Sequence, residues 1–178
     1  MRDIHPGEEL TISYIYGQTP RSERQSQLRE WGFTCSCSQC TLGASESGAS
    51  DARIRHIKAL EDEIEALMAR GPAAAEGMRP EMGGKLVEMY VAERLDAYLA
   101  PTYTRAALIY SMFGNEERAR EYAVEAVAAL ERETGPWAKD IESMERLAED
   151  PNTHWSWGVM ATSREKGVPK NETQAREE

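Results

Sequence analysis

Residues 103–134, YTRAALIYSMFGNEERAREYAVEAVAALERET, decide the fold, because they predict two helices joined by a tight turn. Apolar side chains recur every three or four residues on both sides of the turn, which is the spacing of an amphipathic helix. The Gly-Asn pair at 114–115 is typical of a helix end, since both residues adopt the left-handed backbone region easily. We therefore predict one helix that ends at Phe113 and a second over 116–134, followed by a Gly-Pro stop.

The helical pattern extends in both directions from this hairpin. Stretches of helical periodicity, separated by glycine- or proline-containing breaks, predict three further helices, over 51–70, 85–100 and 137–148. A break at Pro101 separates the second of these from the hairpin. Residues 73–84 hold three glycines and one proline, so they are predicted to be a loop.

The N-terminal part of the chain has a different character. Residues 10–16, LTISYIY, are rich in β-branched and aromatic side chains and alternate in polarity, a pattern typical of a strand. A short helix is predicted over 20–31, with Thr19 as its N-cap and Pro20 at the first helical position. Gly32 follows as the stop of that helix.

Composition divides the chain into four segments. These are a strand-and-turn part over 1–42, a linker over 43–50, a helical domain over 51–160 and a tail over 161–178. The linker, GASESGAS, is small and polar, as flexible connections are. The tail is charged and has few apolar side chains, so we expect it to be disordered. The predicted fold class is mainly α, with a short β and cysteine-loop part at the N-terminus and an antiparallel helical domain after it.

The cysteines predict a metal site. Cys35, Cys37 and Cys40 fall within six residues, and no further cysteine occurs in the sequence. An odd number so closely grouped, without a secretory signal, makes a poor disulfide framework. Zinc prefers a tetrahedron of thiolates or imidazoles, so the Cys-x-Cys-x-x-Cys spacing supplies three of four ligands. The alternative is three reduced, buried cysteines without metal. The histidines lie far away in sequence and are interpreted as surface or partly buried polar residues: His5, His56 and His154.

Charge and hydropathy exclude several classes of protein. The chain has 31 acidic and 21 basic side chains, a net charge of −10, which argues against a protein whose main role is to bind nucleic acid. No apolar stretch approaches the ~18 residues of a membrane helix, and the N-terminus lacks the apolar region of a signal peptide. Residues 1–42 have a net charge of −1, so most of the acidity belongs to the helical part. These acidic side chains lie either on solvated helix faces or on a docking face for a basic partner such as a histone tail.

Three stretches near the N-terminus resemble a known family. RDI at 2–4, PGEELTISY at 6–14 and FTCSCSQC at 33–40 resemble the C-terminal end of a SET domain with its post-SET zinc loop. The Ser-Tyr-Ile ending and the intervening helix, rich in arginine, glutamate and glutamine, look closest to lysine methyltransferases of the SET and MYND type and their fungal relatives. In those proteins a helical, tetratricopeptide-like domain follows the zinc loop, as it would here.

The resemblance implies transfer of a methyl group from S-adenosylmethionine to a lysine amine of a protein substrate. It places Tyr14 at the tyrosine that orients the amine, the alternative being an aromatic that fills a sheet. It places Phe33 at the aromatic near the cofactor adenine or the lysine channel, the alternative being packing against the zinc loop. Glu8 and Glu9 are interpreted as turn and surface carboxylates, because adjacent strand residues point to opposite faces.

The family's Gly-x-Gly cofactor segment, its Asn-His motif and its fourth zinc cysteine lie upstream of these motifs, and this sequence lacks them. We therefore expect a C-terminal fragment of a methyltransferase that is inactive alone. One alternative is a non-enzymatic helical interaction module with a vestigial SET remnant, and another is a zinc-binding adaptor that gains its fourth ligand by dimerising. The expected partner is a histone tail or another lysine-containing protein, in the nucleus or cytoplasm, with no nucleic acid or membrane.

The central hairpin can also be compared with the tetratricopeptide pattern. Tyr103, Tyr110, Ala119 and Ala126 lie at spacings of seven, nine and seven residues, which match one such hairpin. Ala123 occupies a position where a larger aromatic is usual, and the expected terminal proline is missing. One hairpin is therefore predicted, although unrelated helical hairpins also give this pattern.

Overall fold

The fold is mainly helical, as predicted. A computed structural model describes residues 5–8, 12–71 and 76–161. These residues form six α-helices, which are α1 (Arg21–Glu30), α2 (Ala44–Met68), α3 (Glu81–Ala92), α4 (Leu99–Met112), α5 (Glu116–Thr134) and α6 (Ile141–Glu149). None of the helices in the described ranges is both long enough and apolar enough to cross a membrane.

The central hairpin is confirmed. The turn between α4 and α5 contains Gly114 with φ +70°, and the Asn115 side chain accepts a hydrogen bond from the Arg118 N–H at 3.1 Å. Asn115 is therefore the N-cap of α5. The Ala100 N–H at the start of α4 donates to the Glu133 carboxylate near the end of α5, at 3.4 Å, so the two helices run antiparallel. The tetratricopeptide likeness of this hairpin stays a prediction.

Small side chains let the C-terminal helices pack closely. Ala119, Ala123 and Ala126 are fully buried on the inner face of α5. The Arg120 guanidinium at the start of α5 donates to the carbonyls of Ala148 and Glu149, at 2.6 and 2.7 Å. Those two carbonyls lie at the end of α6, so α5 and α6 also run antiparallel.

A second cluster of buried side chains joins α2 and α3. Ile57 and Ile64 of α2 and Leu86 and Tyr90 of α3 are each 1% exposed. Helix α2 buries Ile54, Ile57, Ile64 and Leu67 on one face, whereas Met68 is exposed. The Tyr90 hydroxyl donates to the Glu61 carboxylate at 2.6 Å, and burial raises the pKa of that hydroxyl above its usual value.

The prediction of a flexible linker over 43–50 is wrong, because most of these residues are helical. Residues 44–50 form the first turns of α2, so the boundary predicted between residues 50 and 51 lies inside one continuous helix. The Glu46 carboxylate accepts from the Gly43 N–H at 3.3 Å and stabilises the start of the helix. Ser47 and Ser50 are buried, which shows that the small side chains serve close packing.

The loop predicted over 73–84 is wrong at its C-terminal end, because α3 begins at Glu81. A Cβ atom added to Gly83 would lie 2.9 Å from the Ala106 Cα, so glycine is required for the close approach of α3 to α4. Residues 72–75 lie outside the described residues.

The helix predicted over 85–100 is also wrong in its extent. Helix α3 ends at Ala92, and Arg94 follows in the left-handed region with φ +56°. Pro101, predicted as a break, instead lies in the first turn of α4. N–H groups in the first turn of a helix have no intrahelical acceptor, so a proline there costs the helix no hydrogen bond.

The strand predicted over 10–16 does not form in the part that the structure describes. Residues 12–16 are irregular, and residues 9–11 lie outside the described ranges. A strand requires a partner for its backbone hydrogen bonds, and the described residues offer none. The Ser13 hydroxyl donates instead to the Ile15 carbonyl at 2.6 Å.

Helix α1 is attached to α2 at its first residue. The Asp51 carboxylate accepts from the Arg21 N–H at 2.7 Å. Asp51 thus takes the capping role predicted for Thr19, whose hydroxyl donates to the Tyr16 carbonyl at 3.2 Å. Gly32, with φ +85°, follows the end of α1 as predicted. The tail predicted over 161–178 lies, except for its first residue, outside the described residues.

Candidate functional site

The three cysteines meet in the loop between α1 and α2. The sulfur atoms of Cys35, Cys37 and Cys40 all lie within 4.8 Å of one another. A zinc ion with Zn–S distances of about 2.3 Å places tetrahedral sulfurs roughly 3.8 Å apart. The cluster therefore fits three ligands of such an ion after small side-chain adjustments. In the part of the chain that the structure describes, no histidine or carboxylate joins these sulfurs as a fourth ligand.

Backbone hydrogen bonds fold the cysteine loop. The N–H groups of Cys40 and Thr41 both donate to the Cys37 carbonyl, at 3.0 Å each. The Cys37 N–H points at the Cys35 sulfur, at 3.5 Å. This turn brings the sulfurs together because it reverses the chain between the second and third cysteine.

Gln25 of α1 holds the beginning of the loop. Its side-chain amide donates to the Cys35 carbonyl at 2.8 Å and accepts from the Cys35 N–H at 3.2 Å. This two-way contact fixes Cys35 relative to α1. Sequence reasoning missed Gln25, and no local pattern distinguishes it from the other polar residues of the helix.

The thiols differ in their surroundings. Cys40 is buried, and this burial raises the pKa of its thiol, with hydrogen bonding to Cys37 adding to the effect. The Arg24 guanidinium, itself buried, hydrogen-bonds to the Cys40 thiol and acts in the opposite direction. For Cys37, partial burial acts to raise the pKa, but hydrogen bonds from the Cys40 backbone and from the other two thiols together lower it. The Arg24 guanidinium therefore offsets only part of the effect of burial on the pKa of the Cys40 thiol.

The buried carboxylate of Glu93 connects the cysteine loop to the helical domain. Glu93 follows α3 and is 4% exposed. It accepts hydrogen bonds from the Ser50 hydroxyl at 2.5 Å, from the Gln39 amide at 3.3 Å and from the Arg53 guanidinium. The loop is therefore fixed against α2 and the end of α3. Sequence reasoning did not identify this contact, because the three partners lie 40 to 54 residues from Glu93 along the chain.

Two of the predicted site residues lie together. The rings of Tyr14 and Phe33 are 5.7 Å apart in an edge-to-face arrangement, and Trp31 lies 5.4 Å from Tyr14. Tyr14 is 51% exposed and Phe33 is 42% exposed. Tyr14 also borders an open groove of about 590 Å³, whose other lining residues include Tyr16, Gln27, Glu30, Trp31 and Tyr98. Trp31 was not predicted here, although an aromatic beside Gly32 and Phe33 is a usable signal.

The remaining candidates do not join this site. The Glu8 carboxylate accepts from the His5 N–H at 3.2 Å within a turn, as expected of a turn carboxylate. Glu9 lies outside the described residues. His5 and His56 are exposed, whereas His154 is buried.

Comparison with known proteins gives short matches to lysine methyltransferases. The chain is 50% identical to histone-lysine N-methyltransferase ATXR2 of Arabidopsis thaliana over 45 residues, which is 25% of this chain and 10% of that protein. It is 45% identical to N-lysine methyltransferase SMYD2 of Sus scrofa over 42 residues, 23% of this chain and 10% of that protein. A third match, to histone-lysine N-methyltransferase SET5 of Scheffersomyces stipitis, is 33% identical over 95 residues, 47% of this chain and 19% of that protein.

These matches support a family related to methyltransferases. They span only about a tenth to a fifth of the length of the relatives. The match to SET5 extends beyond what residues 1–42 alone can supply, since it covers 47% of the chain. No family model matches the chain. No solved structure matches it either.

Proposed function

We propose that this chain is the C-terminal part of an S-adenosylmethionine-dependent protein-lysine N-methyltransferase of the SET and MYND type. The observation that supports this most is the three-cysteine cluster, whose sulfurs lie within 4.8 Å of one another. It occurs in a chain with 50% identity to a histone-lysine N-methyltransferase over 45 residues. The sequence similarity alone does not show that the sulfurs cluster, and the cysteine spacing alone does not indicate a methyltransferase.

In this proposal Cys35, Cys37 and Cys40 bind a structural zinc ion. In this proposal the fourth ligand comes from a part of the enzyme outside these 178 residues, because the sequence holds no further cysteine and no histidine or carboxylate of the described residues joins the three sulfurs. The zinc supplies folding free energy to the loop. Because Phe33 lies two residues before Cys35, a bound zinc ion would also restrain the position of Phe33.

Tyr14 is the proposed active-site tyrosine. A lysine amine has a pKa of about 10.4, so it must lose a proton before it attacks the sulfonium methyl group. A phenol hydroxyl on a rigid ring can orient that neutral amine in line with the methyl group. Phe33, 5.7 Å from Tyr14, lines the same site near the cofactor or the lysine channel.

The isolated chain is proposed to be inactive. It lacks the Gly-x-Gly and Asn-His motifs that bind the cofactor in the resembled family. In addition, Tyr14 is 51% exposed, whereas methyl transfer needs an enclosed site that excludes water. The missing walls of that site belong, in this proposal, to the cofactor-binding core.

The helical domain is proposed to lie on the substrate side of the enzyme. Its acidity, within a chain of net charge −10, favours a basic protein segment such as a histone tail or another lysine-containing protein. The proposed compartments are the nucleus and the cytoplasm.

The coding sequence upstream of Met1 is the first test. An in-frame segment with Gly-x-Gly, Asn-His and a further cysteine supports the proposal. Stop codons in all frames favour the alternative, a non-enzymatic helical interaction module. The purified chain should show neither methyl transfer nor saturable cofactor binding, and clear transfer to a protein substrate would contradict the proposed fragment.

The complete protein allows a sharper test with matched variants. Tyr14→Phe should lower methyl transfer by about a hundredfold or more and leave zinc content unchanged. Tyr16→Phe is the control, because Tyr16 is exposed nearby and has no assigned role. Normal activity in Tyr14→Phe would remove Tyr14 from the proposed site.

A further inference from the structure

A second cavity lies at the first turn of α6, away from the cysteines and from Tyr14. It has a volume of about 350 Å³. Its lining combines cationic, hydroxyl and aromatic side chains: Lys139, Glu142, Ser143, Arg146, Thr153, His154 and Trp155. None of these residues has a role in the proposed methyl transfer.

Hydrogen bonds hold the His154 ring at both of its nitrogens. The Ser156 N–H donates to Nδ1 at 3.3 Å. Burial, and then the charge of Arg146, lower the pKa of His154. The ring is held in place because the Ser156 hydroxyl lies 2.7 Å from Nδ1 and 2.8 Å from the Ser111 hydroxyl.

The His154 ring also contacts Ser143. Nε2 lies 3.0 Å from the Ser143 hydroxyl. Ser143 borders the cavity, and this contact orients its hydroxyl there.

The charges around Ser143 also favour an anion. Lys139 and Arg146 border the cavity with positive charges, and Glu142 is the carboxylate among the lining residues. Glu142 is already paired with one N–H of Arg146, and a guanidinium has four further N–H donors. Because Ser143 lies in the first turn of α6, the helix dipole adds to the attraction for a negative group.

Trp155 provides an apolar surface at the same cavity. Its ring lies 5.3 Å from the His154 ring, and 69% of the residue is exposed. A flat or apolar group that is bonded to the anion can stack there, which adds contact area beside the charged contacts.

From this geometry we propose that the α6 cavity binds an oxyanion, a carboxylate or a phosphate, that is attached to an aromatic or apolar group. Lys139, Arg146 and the Ser143 hydroxyl contact the oxyanion, and Trp155 contacts the apolar group. His154 acts as a positioning residue, because it orients the Ser143 hydroxyl.

Calorimetric titration of the full chain with phenyl phosphate, benzoate and benzyl alcohol tests this site. We expect saturable binding of at least one anion and no binding of the alcohol, which has the ring but no charge. Tighter binding of phenyl phosphate assigns the site to phosphate groups, and tighter binding of benzoate assigns it to carboxylates. Absence of binding by both anions, or equal binding of the alcohol, overturns the proposal.

Charge-neutral variants locate the binding. Lys139→Gln should lower the affinity for the tighter-binding anion by about tenfold, the effect of one lost charge-assisted hydrogen bond. Ser143→Ala should lower this affinity by a smaller factor. Lys58→Gln is the control, because Lys58 is an exposed lysine of α2 that pairs with Asp62 and does not border this cavity. Equal affinities in Lys139→Gln and Lys58→Gln overturn the assignment, provided that circular dichroism shows both variants folded.

Discussion

Replacement of Gly83 by alanine tests whether close contact between α3 and α4 holds the helical domain together. In the interior of a helix, alanine is favoured over glycine by about 1 kcal/mol. At Gly83 the added methyl group would lie 2.9 Å from the Ala106 Cα and 3.3 Å from the Ala106 Cβ. The first of these is a backbone atom, so the contact can relax only if α4 moves relative to α3.

The two effects at Gly83 oppose each other. Overpacking of a buried contact costs typically 1–3 kcal/mol, so about 2–3 kcal/mol is expected where backbone meets backbone. After the helix preference is subtracted, Gly83→Ala should lower the free energy of unfolding by about 1–2 kcal/mol.

Gly48 supplies a control within the same chain. It lies in α2, is exposed, and has no atom within 4 Å of an added Cβ. Gly48→Ala should therefore raise the free energy of unfolding by about 0.5–1 kcal/mol. The two variants are thus expected to differ in sign and by about 2 kcal/mol in total.

Urea unfolding followed by far-UV circular dichroism measures both variants, and equal m-values show that the midpoints can be compared. A stability gain in Gly83→Ala similar to that in Gly48→Ala would refute the close contact. It would indicate that Gly83 lies in a helix with enough space beside α4 for a methyl group. A loss in both variants would refute the assignment of residues 44–50 to a helix.

Three further predictions concern the site and its surroundings. Glu93→Gln should lower the free energy of unfolding by about 1–3 kcal/mol in urea titrations, because the Arg53 charge loses its buried partner. An unchanged urea midpoint would contradict the stabilising role of the Glu93 carboxylate. Tyr14→Phe should change stability by less than about 0.5 kcal/mol, since the residue is 51% exposed; a larger loss of stability would indicate a structural role for the hydroxyl. His154 has a folded-state pKa below the usual 6.5. Below pH 6.5 the unfolded chain binds a proton that the folded chain does not, so the free energy of unfolding decreases as the pH is lowered, and His154→Gln should reduce this dependence just below pH 6.5. Parallel pH profiles for the two proteins would contradict the lowered pKa.

Local signals in the sequence were sufficient for the central hairpin and the cysteine cluster. The bounds 116–134 of α5 agree with the prediction, because Asn115 caps the helix and Gly135 follows its end with φ +81°. Both signals act within one turn of the chain. The proximity of the three sulfurs similarly depends on six consecutive residues that fold on themselves.

The wrong predictions concern residues that are buried by distant parts of the chain. Residues 44–50 are mostly small and Gly83 has no side chain, which is typical of a linker or a loop. Ser50 is buried against Glu93 and Gly83 against Ala106, so small size serves close packing at both places. Propensity scales describe a residue without its tertiary neighbours, and these neighbours outweigh a propensity of about 1 kcal/mol.

The sequence by itself determined the helical class, the pairing of α4 with α5, and the three thiols as a candidate metal site, because each depends on residues close together in the chain. The tertiary structure alone decided that Gln25 holds Cys35, that Glu93 joins the cysteine loop to α2 and α3, and that Lys139, Ser143 and Trp155 border one cavity. These arrangements depend on how helices pack, and packing joins residues whose separation along the chain leaves no periodic or local signal.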